Sequence, residues 1–303
     1  MKRLRVIELF AGIGGAARAF ENCGDIAAAI DINQNAKQVY ELNFRHPYLI
    51  HSIESLKSEQ LRSFDADTWW VSAPCQPFTR RGNQRDDLDP RSAALLHLIE
   101  IMADSRPDFF LLENVVGFMG SNTHRHLISQ LQQQGYSFAE LERCPTELGI
   151  PNRRPRYYLM ASRSIRLATD IFALDTRKKD ARPIGNFLQE SASEDFYLSA
   201  DDWSKYGDGL NVVDRNSDVS NCLTSAYGRS LTKSGSYLRE SDGRIRRFTP
   251  IEVSRLLGIH QPEYGREFDL PKTFTNRQLW KLIGNSISIF VLQDLLNRIQ
   301  KIL

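Results

Sequence analysis

The chain has 303 residues, 41% hydrophobic and 25% charged, with a net charge of +2. Those values suit a soluble globular enzyme of one large domain, or of one large and one small. Four cysteines at positions 23, 75, 144 and 222, with no Cys-x-x-Cys pair, exclude a disulfide framework and a structural zinc site, so no metal is expected.

Met1-Lys2-Arg3-Leu4 enters a strand at once, which leaves no room for a signal peptide, and no apolar run reaches the ~18 residues of a membrane span. A cytoplasmic protein with no membrane partner is expected, and the length suggests a monomer. Leu4 to Phe10 reads as a strand, followed by the glycine turn Ala11-Gly12-Ile13-Gly14-Gly15 and an alanine-rich helix over 16–22. Strand, glycine turn and helix open a nucleotide-binding βαβ unit. The glycines let the backbone approach a ligand, and the helix N-terminus favours an anionic group. A second strand over 26–30 ends in Asp31, an acid suited to hold the two hydroxyls of a ribose. Gly14 and Gly15 are adjacent, a departure from the dinucleotide fingerprint. The adenosine cofactor is therefore either a nicotinamide dinucleotide or S-adenosylmethionine.

A helix over 33–44 and a strand over 48–53 follow, and the apolar run 68–72 reads as a buried strand. Directly after it comes Ala73-Pro74-Cys75-Gln76-Pro77-Phe78-Thr79. Two prolines bracket Cys75, so the chain leaves the sheet in a stiff, extended turn that cannot continue as a helix. A thiol is thereby held at the carboxyl end of a strand, where open α/β sheets bind their ligands. Lone cysteines are more often buried structural residues. The flanking prolines and the polar Gln76 and Thr79 favour a nucleophile. Residues 80–91 mix Arg80, Arg81, Arg85 and Arg91 with Asp86, Asp87 and Asp89, and read either as a loop serving that thiol or as a solvated surface loop.

Helical spacing over 92–104 precedes a strand over 108–112 that runs into Glu113-Asn114-Val115. A carboxylate ending an apolar strand is costly unless it has a task or a partner. A helix over 123–134 stops at Gly135, and Leu148-Gly149-Ile150-Pro151-Asn152-Arg153-Arg154-Pro155-Arg156 leads into a last strand over 157–161. This alternation predicts an α/β, Rossmann-like, mostly parallel doubly wound sheet. From about residue 165 the pattern turns polar and irregular, marking a second, smaller region. Residues 226–247 hold six basic residues against two acids, with Arg229, Lys233, Arg244 and Arg246 interleaved with Tyr227 and Tyr237. That mixture suits a surface that meets phosphates and stacks bases, with a solvated basic loop as the alternative. Thr249-Pro250 caps a helix over 250–257, Thr275 opens another, and Gly284-Asn285-Ser286 breaks it before a final apolar helix.

Taken in order, Phe10-Ala11-Gly12-Ile13-Gly14-Gly15, Pro74-Cys75-Gln76, Glu113-Asn114-Val115, Arg154-Pro155-Arg156 and Gly284-Asn285-Ser286 resemble the motifs of the cytosine C5 methyltransferases that act on nucleic acids. The resemblance spans essentially the whole chain. Cys75-Gln76-Pro77-Phe78-Thr79-Arg80, with Gly82, Gln84 and Asp86 after it, is similar to the branch that modifies an anticodon-loop cytosine of tRNA. Leu148 to Asn152 and Phe248-Thr249-Pro250 are similar to it as well. Asn221-Cys222-Leu223-Thr224 departs from that branch's Cys-Phe-Thr, and DNA-modifying relatives show a similar Leu-Thr, so a restriction-type DNA methyltransferase is the alternative.

The resemblance implies S-adenosylmethionine as cofactor and a thiolate, Cys75, that adds to C6 of the cytosine. It implies that Glu113 binds the N3 edge and donates a proton there, which needs a dry pocket. Arg154 and Arg156 would orient the base through its carbonyl and the flanking phosphate. The cofactor would meet Phe10 to Gly15, Asp31 and Ile32, Ile53 and Glu54, Ser72 and Pro74, and Asn285 and Ser286. Arg80, Arg81 and Arg85, with the basic residues and tyrosines of 226–247, would meet the nucleic acid. The catalytic domain would comprise residues 1–165 and 275–303, and the target-recognition region 166–274.

Overall fold

The computed structural model describes residues 2–78, 86–173 and 180–303. The chain divides into two units, the first comprising Met1–Arg143, Pro155–Leu174 and Leu292–Leu303, the second Cys144–Arg154 and Asp175–Val291. Thr79, Arg80, Arg81, Gly82, Gln84 and Arg85, singled out in the sequence, lie outside the described residues.

In chain order the elements are β1 (Leu4–Leu9), α1 (Gly15–Phe20), β2 (Gly24–Asp31), α2 (Gln34–Asn43), β3 (Tyr48–Ile50), α3 (Ser58–Ser63), β4 (Thr68–Val71), α4 (Ala93–Ser105), β5 (Phe109–Val115), α5 (Asn122–Gln133), β6 (Ser137–Arg143), β7 (Asn152–Arg153) and β8 (Arg156–Ser162). All but β7 belong to the first unit, whose sheet runs in the order β3-β2-β1-β4-β5-β8-β6. β1 to β5 are parallel, and β8 is antiparallel to both its neighbours. The order reverses between β1 and β4, which makes the carboxyl ends of these two strands the switch point where an open sheet leaves a crevice.

Side chains alternate across a strand, so Trp69 and Trp70 on β4 face opposite layers. Trp69 joins the cluster built with Leu95, Leu98 and Ile99 of α4 and Leu127 of α5. Trp70 meets Phe20 of α1 edge-on at 6.4 Å. Helices on both faces explain why β4 is apolar and buried throughout. The strand β6 was not legible in the sequence. It lies at the sheet edge, and only Ala139 and Leu141 of its seven residues are buried, so its charges mask the alternation.

The second unit continues with α6 (Ala200–Tyr206), β9 (Asn211–Val213), β10 (Ser220–Asn221), β11 (Ser236–Arg239), β12 (Ile245–Arg246), α7 (Pro250–Leu257), α8 (Asn276–Gly284) and α9 (Ile289–Gln300), whose residues from Leu292 onward return to the first unit. Its strands form a three-stranded sheet, β12-β11-β9, and the pair β10-β7. Thr249 with Glu252 and Thr275 with Gln278 form capping boxes that start α7 and α8.

The expected boundaries differ from these. Residues 144–154 belong to the second unit because Asn152 and Arg153 pair with Ser220 and Asn221. The helix α8 belongs there because Trp280 packs on Tyr227 and donates its indole N–H to the Phe248 carbonyl at 3.0 Å. Residues 276–300 are long and apolar enough by composition to cross a membrane, which the sequence reading did not expect, but 67% of their most apolar 18-residue window is buried inside the protein, as in a core helix.

The basic and aromatic mixture of 226–247 is largely interior. Tyr227 and Tyr237 are 1% and 0% exposed, and their rings sit 5.7 Å apart. Tyr227 donates to the Ser236 carbonyl at 2.7 Å and accepts the Phe248 amide at 3.0 Å. Arg246 is 1% exposed and forks onto Glu252 at 2.7 and 2.8 Å, with Glu240 at 2.6 Å. These three residues build the core and do not form the base-stacking surface expected of them. The reason is local: two acids, Glu240 and Glu252, neutralise Arg246 from within the fold. Arg244 is exposed but held by Asp242 and Glu194. Arg229 and Lys233 remain on the surface.

Candidate active site

The register of the sheet brings three motifs side by side. Leu9 pairs with Val71 and Val71 with Leu112, so the glycine turn after β1, the cysteine loop after β4 and Glu113 near the end of β5 are neighbours. The Ser72 amide donates to the Leu9 carbonyl at 3.3 Å, and the Asn114 side-chain amide donates to the Ala73 carbonyl at 3.3 Å. Both bonds tie the cysteine loop to the strands that flank it. Cys75 is half-buried and opens a short 3-10 turn in which the Phe78 amide donates to its carbonyl at 3.0 Å. Arg91 lies within electrostatic reach of the Cys75 sulfur and is fixed by both oxygens of buried Asp89, at 2.8 and 2.6 Å. A guanidinium near a thiol favours the thiolate.

Glu113 is 7% exposed and its Oε1 lies 3.2 Å from Nε of Arg156. Glu113 pairs with Tyr158 in the antiparallel register, so Arg156, two residues away, projects on the same face. The burial expected for Glu113 is present. Its carboxylate is also held by an ion pair, which the sequence reading did not include. Arg154 is placed differently. It belongs to the second unit, is 3% exposed, and donates to the carbonyls of Gly284 (3.1 Å) and Ser286 and to the Cys222 sulfur at 3.2 Å. Its guanidinium is occupied in holding the Gly284-Asn285-Ser286 turn. Only its two terminal nitrogens make these bonds, a structural task that the sequence reading did not give it.

On the cofactor side, Phe10 and Gly12 adopt φ of 58° and 53°, and Tyr48 donates to the Gly12 carbonyl at 3.2 Å. Asp31 accepts the Gly12 amide on one oxygen and the Asn33 amide on the other, each at 2.8 Å. A carboxylate offers about four lone-pair sites, so both oxygens keep acceptor capacity for ribose hydroxyls. A Cβ on Gly12 would point into open space, and the next residue beyond Asp31, Ile32, is 70% exposed. An open cradle, an acid and an exposed apolar side chain at adjacent strand ends fit an adenosine-bearing cofactor. Ala11, Ile13, Gly14 and Gly15 are buried, and a Cβ on Gly14 would overlap the Phe44 ring, so these residues pack the turn. Ser72 accepts the Trp70 indole N–H at 3.2 Å, Pro74 is half-buried, and Ile53 is 5% exposed beside exposed Glu54.

Sequence reasoning passed over Glu8. Its carboxyl accepts the amides of Ala16 at 3.0 Å and Ala17 at 3.3 Å, so the first turn of α1 is satisfied from inside the protein and is not left for an anionic ligand. An acid inside the apolar strand run Leu4 to Phe10 was the available signal.

Residues 4–301 match the profile of the family described as C-5 cytosine-specific DNA methylase. Among curated proteins, the chain is 31% identical to a tRNA (cytosine(38)-C(5))-methyltransferase of Schizosaccharomyces pombe, over 98% of the chain and 96% of the relative. It is 29% identical to a DNA (cytosine-5)-methyltransferase of Dictyostelium discoideum, over 98% and 94%. Among solved structures, the S. pombe Dnmt2 methyltransferase superposes with a TM-score of 0.87 at 28% identity, covering 99% of both chains.

Proposed function

The chain belongs to the C-5 cytosine-specific DNA methylase family, and from that premise we propose that its substrate is an anticodon-loop cytosine of tRNA. It is a nucleic-acid cytosine C5 methyltransferase that uses S-adenosylmethionine. The observation that carries the choice of tRNA is the near full-length similarity to the fission-yeast enzyme named for cytosine 38. The departure at Leu223 weighs little against it. Leu223 is 2% exposed and packs on Gly235, so that exchange lies inside the unit and alters no surface a nucleic acid would meet.

In this reading the Cys75 thiolate, favoured by Arg91, adds to C6 of the cytosine. Glu113, oriented by Arg156, donates a proton to N3, and C5 becomes a nucleophile. Bound S-adenosylmethionine supplies the electrophilic methyl group. Gly12, Asp31, Ile32 and Ser72 are the first unit's residues for holding it. After methylation a base removes the C5 proton, and elimination across C5–C6 returns the Cys75 sulfur while N3 returns its proton to Glu113. An unpaired loop base needs no extraction from a duplex, which lowers the cost of reaching the thiol.

A second reading, duplex DNA, is favoured by the Dictyostelium relative. Transfer of labelled methyl groups to total tRNA against duplex DNA decides between them. Incorporation into tRNA alone is expected, and sequence-specific incorporation into DNA alone overturns the proposal.

A further inference from the structure

Glu8 lies on β1, just before the glycine turn, and is 1% exposed. Beyond the two α1 amides on its Oε1, its Oε2 lies 3.4 Å from the Tyr40 hydroxyl. That hydroxyl lies 3.2 Å from Nδ1 of His46, a partly exposed ring stacked on Phe44. Phe44 in turn fills the space against Gly14. A buried carboxyl under the turn is thus the inner end of a three-member chain whose outer end meets solvent. Asp31 and Tyr48 also face Glu8, Asp25 faces His46, and nearby Arg18 is engaged by Glu21 and the Phe44 ring.

The Tyr40 hydroxyl has one proton and cannot donate to both neighbours. With Glu8 neutral, Glu8 donates to Tyr40 and Tyr40 donates to His46. With Glu8 ionised, both bonds reverse: Tyr40 donates to Glu8 and the His46 Nδ1–H donates to Tyr40. We propose that Glu8, Tyr40 and His46 form a proton relay that sets the affinity for the cationic cofactor through the charge beneath the glycine turn. The proposal rests on the reading that the cofactor occupies this turn. In the transfer, Glu8 gives its proton to the Tyr40 oxygen, Tyr40 gives its own to His46 Nδ1, and His46 releases the Nε2 proton to solvent. One proton leaves, the imidazole stays neutral, and no electrons move. Burial pushes the Glu8 carboxyl up to about 8, which puts the switch close to neutral pH. Ionised Glu8 attracts the sulfonium of S-adenosylmethionine, a charge that S-adenosylhomocysteine lacks.

Calorimetric titration of both ligands against wild type and Glu8→Gln at pH 7 and pH 9 tests the relay. The amine of each ligand titrates alike against both proteins, so it cancels in the affinity ratio of wild type to variant. For S-adenosylmethionine that ratio is expected to rise about threefold or more between the two pH values, and for S-adenosylhomocysteine to stay flat. A flat ratio for both ligands overturns the relay. Should Glu8→Gln not fold, Tyr40→Phe carries the same test. Without the hydroxyl, the pH response of S-adenosylmethionine binding moves upward, and an unmoved response overturns the proposal. Gly12→Val separates the underlying reading. If it leaves binding intact, the cofactor does not lie on this turn; if it abolishes binding while the Glu8→Gln ratio is flat, only the relay is lost.

Discussion

Gly117 packs so closely on the Phe78 carbonyl oxygen that a Cβ at 117 would overlap it. Phe78 closes the turn that begins at Cys75, and its ring meets Phe118 edge-on at 4.9 Å. The thiol loop and the turn that follows Glu113 are therefore one packed piece, and the nucleophile and the acid keep their spacing through it.

Gly117→Ala should push Phe78 outward and displace Cys75 without touching the glycine turn. Overpacking of this kind costs about 1–3 kcal/mol, and a displacement near 1 Å can slow a reaction by roughly 100-fold. The expected result is a loss of kcat of tenfold or more, with the dissociation constant for S-adenosylmethionine little changed. Wild-type turnover in this variant would show that the close contact does not position the thiol.

Cys75→Ala should abolish methyl transfer while leaving S-adenosylmethionine binding nearly intact, because the side chain removed is the proposed nucleophile. Wild type, but not the variant, should form a covalent adduct with an RNA carrying 5-fluorocytosine, visible as a shifted band under denaturing conditions. Turnover by Cys75→Ala would remove the residue from its role.

Arg154 and Arg156 are two residues apart yet do different things, and their alanine variants should separate. Arg156→Ala frees Glu113 from its 3.2 Å partner. It should lower kcat, and by leaving a buried carboxylate without its ion-pair partner it should lower the melting temperature as well. Arg154→Ala leaves the Gly284 and Ser286 carbonyls without their donor in a buried place, a loss of about 1–3 kcal/mol for each group left unsatisfied. A lowered melting temperature and a lower yield of folded protein are expected. A loss of kcat in folded Arg154→Ala equal to that of Arg156→Ala would contradict this division.

The first unit was readable because its strands are apolar and bounded by glycine, proline and acids, as at Gly12, Pro74 and Asp31. The edge strand β6 was not, since a half-exposed strand alternates weakly. The second unit misled for a different reason. A run of arginines and tyrosines has the same composition whether it faces phosphate or pairs internally, and the pairing of Arg246 with Glu252 appears only when β12 and α7 are folded together. Neither the division of labour between Arg154 and Arg156 nor the place of Glu8 can be read from spacing, because each depends on contacts between segments far apart in sequence.

Arg246 makes that difference measurable. Truncating one partner of a buried ion pair costs about 3–5 kcal/mol, whereas a surface phosphate contact would change the salt dependence of binding and leave stability alone. Arg246→Ala should therefore melt several degrees lower, with the salt dependence of RNA binding unchanged in the protein that stays folded. Normal stability with a shallower salt dependence would return Arg246 to the nucleic-acid surface.

The stability of the protein should also report Glu8. Burial raises its carboxyl from 4.5 to about 8. Between those values the folded chain binds a proton that the unfolded chain has released, so folding loses stability as pH rises through that window. Each unit costs at most about 1.4 kcal/mol, and the loss stops once pH passes the folded value. Glu8→Gln keeps an acceptor for the Ala16 and Ala17 amides and a donor for Tyr40, but has nothing to titrate. Its advantage over wild type in urea unfolding should be small near pH 5, grow to pH 8, and level off above. All other groups titrate in both proteins and drop out of the difference. An advantage that does not vary with pH would mean that the carboxyl is ionised in the folded protein throughout, and that the backbone amides and Tyr40 offset its burial completely.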